Sequence, residues 1–116
     1  MSIIVDEIIV SDGGRKLRMR FENGKELSFD AEFLRVESPS AEVQGHSKNE
    51  KVLVSGKSNV RISNAELVGH YAVRLLFSDG HATGIFTWQY LLDISENYSA
   101  MWNDYLTKLS AAGLSR

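Results

Sequence analysis

Two short segments that alternate apolar and charged residues flank Asn23-Gly24, and this pairing constrains the fold more than any other feature of the chain. Before the turn Leu17, Met19 and Phe21 share one face while Lys16, Arg18 and Arg20 share the other; after it Leu27 and Phe29 continue the apolar face. A period of two is that of a half-buried strand. Asn-Gly favours positive φ at both turn centres and suits a tight hairpin. Asp12-Gly13-Gly14 marks another turn after the apolar run Ile3 to Val10, so the first third reads as an antiparallel meander. At Asp30 the period changes. Asp30 suits a helix N-cap, and Phe33, Leu34 and Val36 follow at helical spacing, predicting a short helix that ends before Pro39.

From Gly45 to Asn59 the chain is polar and basic, with Lys48, Lys51 and Lys57, and reads as an excursion interrupted by the strand-like Val52-Leu53-Val54. Sheet resumes with Val60-Arg61-Ile62, then Tyr71 to Phe77, the turn Ser78-Asp79-Gly80-His81 and the return through Gly84-Ile85-Phe86. Thr87 is placed to cap a helix beginning at Trp88. Tyr98, Met101, Trp102, Tyr105, Leu106 and Leu109 then form a stripe at three- and four-residue spacing. That stripe most simply packs on the sheet; left exposed, it would pair with a second copy as a homodimer. Ser110 to Arg116 reads as a fraying end.

Strands first and helices late, without regular β-α alternation, predict an α+β fold. Its architecture is an antiparallel sheet meander with a short middle helix and carboxy-terminal helices packed on the sheet. With 116 residues and no internal repeat or linker, residues 1–116 read as one domain, its core spanning about 8–94 and its terminal helix about 95–112.

Composition excludes several kinds of chemistry. Cysteine is absent, which removes disulfides, thiolate nucleophiles, thiolate zinc sites and cysteine-bound iron–sulfur clusters. Thirteen Lys and Arg against fifteen Asp and Glu leave a formal charge of −2, which argues against nucleic acid or anionic lipid as the main partner. No apolar run approaches the ~20 residues needed to span a bilayer, and no signal-peptide series opens the chain, so the expected location is the cytoplasm and no membrane partner is expected.

His46, His70 and His81 are 24 and 11 residues apart and form no compact ligand motif. Lys48, Ala72 and Thr83 stand where the carboxylate of a His-x-Asp or His-x-Glu iron site would be. Neither phosphate-binding glycine motif occurs, nor a G-x-S-x-G nucleophile elbow, so an enzyme is not expected. Asp79-Gly80-His81 has two readings, a hairpin turn with an exposed histidine or part of a ligand set. Lys16, Arg18 and Arg20 read as the solvated face of a sheet, Trp88 and Trp102 as core or edge residues, and Tyr90 as partly exposed.

Three segments occur together in a familiar order. They are Leu34-Arg35-Val36-Glu37-Ser38-Pro39-Ser40-Ala41-Glu42-Val43-Gln44-Gly45-His46, Gly69-His70-Tyr71-Ala72-Val73, and Phe77-Ser78-Asp79-Gly80-His81-Ala82-Thr83-Gly84-Ile85-Phe86-Thr87-Trp88-Gln89-Tyr90-Leu91. From about Ile8 to Ile94 the chain resembles the small domain at the amino terminus of gamma-butyrobetaine hydroxylase and trimethyllysine hydroxylase, known in bacteria as a domain of unknown function. In the hydroxylases that domain precedes a catalytic domain holding iron and 2-oxoglutarate, which this sequence lacks. Similar domains stand alone or are fused to ATPases that carry iron–sulfur clusters.

The hydroxylase domain holds a structural zinc through three cysteines and the histidine of a later Asp-x-His. The resemblance places those cysteines at Ser38, Ser40 and Val43 and the histidine at His81. Two hydroxyls and a valine cannot replace three thiolates, so zinc bound in that manner is not expected. The Ser38 to Glu42 segment is still expected beside the Asp79 to His81 turn. The resemblance implies a non-catalytic accessory or interaction module with no cofactor, presenting an exposed face centred on Arg35, Glu42, His46, Asp79, His81 and Trp88. Its partner would be an iron–sulfur carrier ATPase or an oxygenase. The alternative is a protein that binds zinc or iron through His81, with His46 and a carboxylate completing a reduced ligand set.

Overall fold

The computed structural model describes residues 3–45 and 51–116. The fold is α+β, built from two three-stranded antiparallel sheets and four helices. Strand β1 (Val5–Ser11) leads through a 3-10 turn at Asp12–Gly14 into β2 (Lys16–Phe21) and β3 (Glu26–Asp30). Helices α1 (Ala31–Val36) and α2 (Ala41–Gln44) follow, then β4 (Ile62–Val68), β5 (Ala72–Phe77) and β6 (Gly84–Thr87). The chain closes with α3 (Trp88–Glu96) and α4 (Tyr98–Ala111). The sheets are ordered β1-β2-β3 and β4-β5-β6, so the expected meander is divided in two.

The alternation in β2 and β3 acts as expected. Leu17 lies opposite Phe29 and Met19 opposite Leu27, all four buried. The turn between the strands differs from the expected one. Gly24 has a φ of 89° while Asn23 stays negative. Gly24 N–H donates to Phe21 O at 2.9 Å and Phe21 N–H to Lys25 O at 2.8 Å, a type I turn with its extra residue at glycine. Asp30 sits at the N-cap of α1, but its carboxylate takes Lys16 Nζ at 3.3 Å instead of capping the helix. Of the other two cations on that face, Arg20 pairs with Asp6 and Glu7, while Arg18 lies between Ile9 and Ser28 of the neighbouring strands.

Val60-Arg61-Ile62 proves to be only the entry to β4. A register shift between Ile62 and Asn64 interrupts the alternation there, which hides the polar remainder of this edge strand from a period-two reading. Val52-Leu53-Val54 joins no sheet. Val52 N–H donates to Val43 O at 2.6 Å, Tyr105 Oη donates to Val54 O at 2.7 Å, and Leu53 and Val54 pack against Val36, Tyr105 and Leu109.

The inner faces of both sheets, α1 and α3 share one apolar core containing Leu17, Phe29, Phe33, Leu75, Phe86 and Leu91. Fully burying each such side chain is worth about 1.5–3 kcal/mol. Thr87 caps α3 as expected, its hydroxyl accepting from Tyr90 N–H at 3.0 Å. The α4 stripe is used within the chain: Trp102 and Tyr98 meet Phe33 edge-on, at 6.2 and 4.7 Å between centroids, and Tyr105 and Leu109 are buried.

The carboxy-terminal residues are docked, not frayed. Gly113 turns the chain at a φ of 69°, and Leu114 N–H returns to Leu109 O at 2.9 Å. Ser115 O accepts from Gly56 N–H at 3.0 Å. Arg116 grips the buried Glu32 carboxylate, with Nε 3.0 Å from Oε2, and lies over the Trp102 ring at 5.3 Å. Among the described residues no helix is long and apolar enough to cross a membrane.

Candidate functional site

The segment from Arg35 to Gln44 lies against the β5–β6 hairpin, and Ser38 to Glu42 meets the Asp79 to His81 turn as the family resemblance implies. Pro39 ends the helical region, and Ser40 then caps α2, its hydroxyl accepting from Glu42 N–H at 3.2 Å. That cap aims Glu42 at the hairpin. His81 Nδ1 lies 2.9 Å from Glu42 Oε2, and His81 Nε2 lies 2.9 Å from Ser38 Oγ. A carboxylate only accepts, so Nδ1 carries the proton and Nε2 accepts from the Ser38 hydroxyl. Ser38 Oγ in turn accepts from Ser40 N–H at 3.3 Å, and Ser40 Oγ meets Thr83 Oγ1 at 2.6 Å.

Asp79 holds the other side of the junction. Its carboxylate accepts from Arg35 Nε at 2.8 Å, from His81 N–H at 3.1 Å and from Lys57 Nζ at 2.7 Å. Burial works to raise its pKa, but the hydrogen bonds from Lys57, His81 N–H and Arg35 outweigh it and bring the value down to about 2. For His81 the balance differs. Burial and the Arg35 charge lower its pKa against the opposing pull of Glu42 and Asp79, so the neutral ring is favoured. Tyr90 seals the back of the segment through its hydroxyl, which donates to Glu37 O; burial and the Glu37 charge raise that phenol to about 12.

The turn reading of Asp79-Gly80-His81 holds, but its exposed histidine does not: His81 is 6% exposed. The backbone turns at Gly80 while the ring folds inward between Ser38 and Glu42, because its two nitrogens find partners there. Arg35, Glu42, Asp79 and His81 are therefore brought together, with Glu42 the outermost at 61% side-chain exposure. Trp88 is not part of this group. It is buried and donates from Nε1 to His70 O at 2.8 Å. His46 lies outside the described residues.

Of the four positions that the resemblance assigned to zinc, only His81 offers a metal donor of the right kind, and both its nitrogens are engaged in hydrogen bonds. Ser38 is buried with its hydroxyl committed to His81, Ser40 is committed to Thr83, and Val43 has no donor. The residues present do not fit a zinc held as in the hydroxylases. Among the described residues no group of three or more His, Asp or Glu side chains converges as a metal site.

A second feature was not anticipated from the sequence. A cavity of about 850 Å³ opens between β1 and β4, lined by Ile8, Val10, Ala65, Leu67 and Val73, with Trp88 against it. The unbroken apolar run Ile8-Ile9-Val10 was the one signal for it, since a strand covered on only one face would alternate.

Comparison with known proteins follows this geometry. A protein solved by NMR in solution is 43% identical, matches 99% of this chain and 86% of its own length, and superposes with a TM-score of 0.84. A second NMR structure is 42% identical over 100% of this chain and 91% of its own, with a TM-score of 0.82. A crystal structure of a protein of unknown function in the DUF971 family, from Acidithiobacillus ferrooxidans, is 38% identical over 78% of this chain and 91% of its own, with a TM-score of 0.64. No curated protein matches the chain. Residues 8–92 match the family model described as gamma-butyrobetaine hydroxylase-like, N-terminal, and the chain therefore belongs to that family.

Proposed function

We propose that this chain is a non-catalytic accessory module of the cytoplasm that works by binding another protein. The observation that carries this reading is the condition of its chemistry-bearing residues. Ser38, His81 and Glu42 are connected in the order of a serine hydrolase relay, but Ser38 is 0% exposed. A nucleophile must reach a substrate carbonyl and work beside oxyanion donors. Here the hydroxyl has instead become a bond holding α2 to the hairpin. The same applies to Asp79, whose three donors leave a carboxylate suited to positioning, not proton transfer.

What the fold offers to the outside is surface: the exposed start of α2 at Ala41 and Glu42 and the open cavity between the two sheets. The family resemblance names an iron–sulfur carrier or an oxygenase as the partner class. Pull-down from native lysate across several salt concentrations tests the reading. A reproducibly enriched protein that binds the purified chain directly is expected, and recovery of nothing reproducible would overturn it.

A further inference from the structure

Both sheets present an unpaired edge to the cavity between them. Among the described residues β1 pairs only with β2, and β4 only with β5. Val10 lies opposite Leu17, and Leu67 opposite Val73; the partners are core residues, so Val10 and Leu67 project on the core side of their sheets. Yet Val10 is 38% and Leu67 70% exposed. Proteins ordinarily protect such edges with Lys, Pro or a covering element, because free N–H and C=O groups beside apolar side chains recruit another strand. Neither β1 nor β4 contains Lys, Arg or Pro. Their charged residues are all carboxylates, and two of these, Asp6 and Glu7 at the cavity wall, share the single guanidinium of Arg20.

We propose that this cleft receives an extended segment of a partner protein, apolar at alternate positions and flanked by Lys or Arg, which adds as a strand between β1 and β4. The inference rests on the reading of the chain as an interaction module and names the mode and chemistry of contact. Two main-chain edges as walls favour an extended backbone over a compact apolar molecule, since only a strand satisfies amides and carbonyls on both sides, displacing Asn64 Oδ1 from Ala65 N–H on β4. Alternate side chains of the segment would cover Val10 and Leu67. The basic end lying beside the start of β1 would complete the charge left by Asp6 and Glu7. Each bordering strand is seven residues long, but Gly14, just after β1, packs on the backbone of Ile62 at the start of β4, so the paired part of the segment is shorter than seven.

The test is amide NMR of the full chain titrated with the capped peptide Lys-Val-Thr-Val-Thr-Val-Lys. Three comparisons accompany it: the same peptide N-methylated at alternate residues, a Glu-flanked version, and the Leu67→Lys variant of the protein. The expected result is saturable shifts in both β1 and β4, weakened about tenfold or more by N-methylation, by Glu flanks at low salt and by Leu67→Lys. Leu67 is largely exposed, so the variant should fold, which its own spectrum verifies. Unshifted β1 and β4 amides at millimolar peptide would overturn the proposal, as would equal binding of the N-methylated peptide. Shifts of the same amides with protein concentration alone would overturn it in favour of a second copy. If strand addition fails while a purified partner still binds and Leu67→Lys leaves that binding unchanged, the interaction reading stands and only the cleft is excluded.

Discussion

Gly84 stands directly against Ser38: a Cβ built on Gly84 would collide with Ser38 Oγ and lie 3.1 Å from Cε1 of Phe86. The first residue of β6 thus sets how closely the hairpin can approach the segment leading to α2. Gly84→Ala should destabilise the protein by about 1–3 kcal/mol, the usual cost of overpacking. In a Ser38→Ala background the penalty should shrink by at least about 0.5 kcal/mol, because the obstructing oxygen is gone. Urea unfolding of the four proteins in this cycle measures the coupling. Equal penalties in both backgrounds would show that the two positions do not meet.

His81 links acid stability to this same junction. Its folded pKa lies below the ordinary 6.5 because burial, and then Arg35, disfavour the charged ring. The unfolded chain therefore takes up the proton first, and the associated stability is present above pH ~6.5 and lost as pH falls toward the folded pKa. Asp79 adds a second loss at lower pH, as its carboxylate titrates between the ordinary 3.8 and about 2. Unfolding free energies measured from pH 7.5 downward should decline in these two windows. His81→Gln should flatten the first and leave the second. His81→Ala should cost about 2–4 kcal/mol at neutral pH, since it leaves a cavity and an unmatched hydroxyl at Ser38.

A metal experiment separates lost ligands from lost geometry. Elemental analysis of the untagged protein should give no more than about a tenth of an equivalent of zinc or iron, given the engaged nitrogens of His81. Ser38→Cys, Ser40→Cys and Val43→Cys together should bind about one equivalent of cobalt with thiolate-to-metal absorption, because Ser38 lies against His81 and Ser40 N–H bonds to Ser38 Oγ. Near-stoichiometric metal in the unaltered protein would revive the metal-binding reading. Failure of the triple variant to bind would mean that this arrangement does not suit tetrahedral coordination.

Arg116 should matter for stability despite its sequence position. Its partner Glu32 is 6% exposed, so Arg116→Ala leaves a buried carboxylate without its cation. The guanidinium is about half in solvent, which limits the expected loss to about 1–2 kcal/mol. Glu32→Gln combined with Arg116→Ala should recover part of it, as read from thermal midpoints at fixed pH.

Much of the fold could be read from the sequence where the period was clean. Leu17, Met19 and Phe21 declared their shared face, and Thr87 declared the start of α3. Periodicity assigns side chains to faces without naming the neighbouring strand, so the division into two sheets was hidden. The polar face of β4 and the register shift near Ile62 concealed its length as well. At the site, both halves were legible, but the contacts joining them span 39 to 44 residues. The family resemblance brought them together; local chemistry did not. It also failed on the depth of His81, because Asp-Gly marks a backbone turn and says nothing about where the next side chain goes.

Among the described residues no strand ladder joins the two sheets, and this has a consequence for motion. The halves meet through interlocked side chains and the packing of Gly14 on the Ile62 backbone, so each can behave as its own unit of opening, with amide exchange in β2 and in β5 reporting separate excursions. The edges of β1 and β4 lie at the seam between those units. A molecule seated there would act as a clasp, raising the protection of both halves together and turning two loosely coupled openings into one.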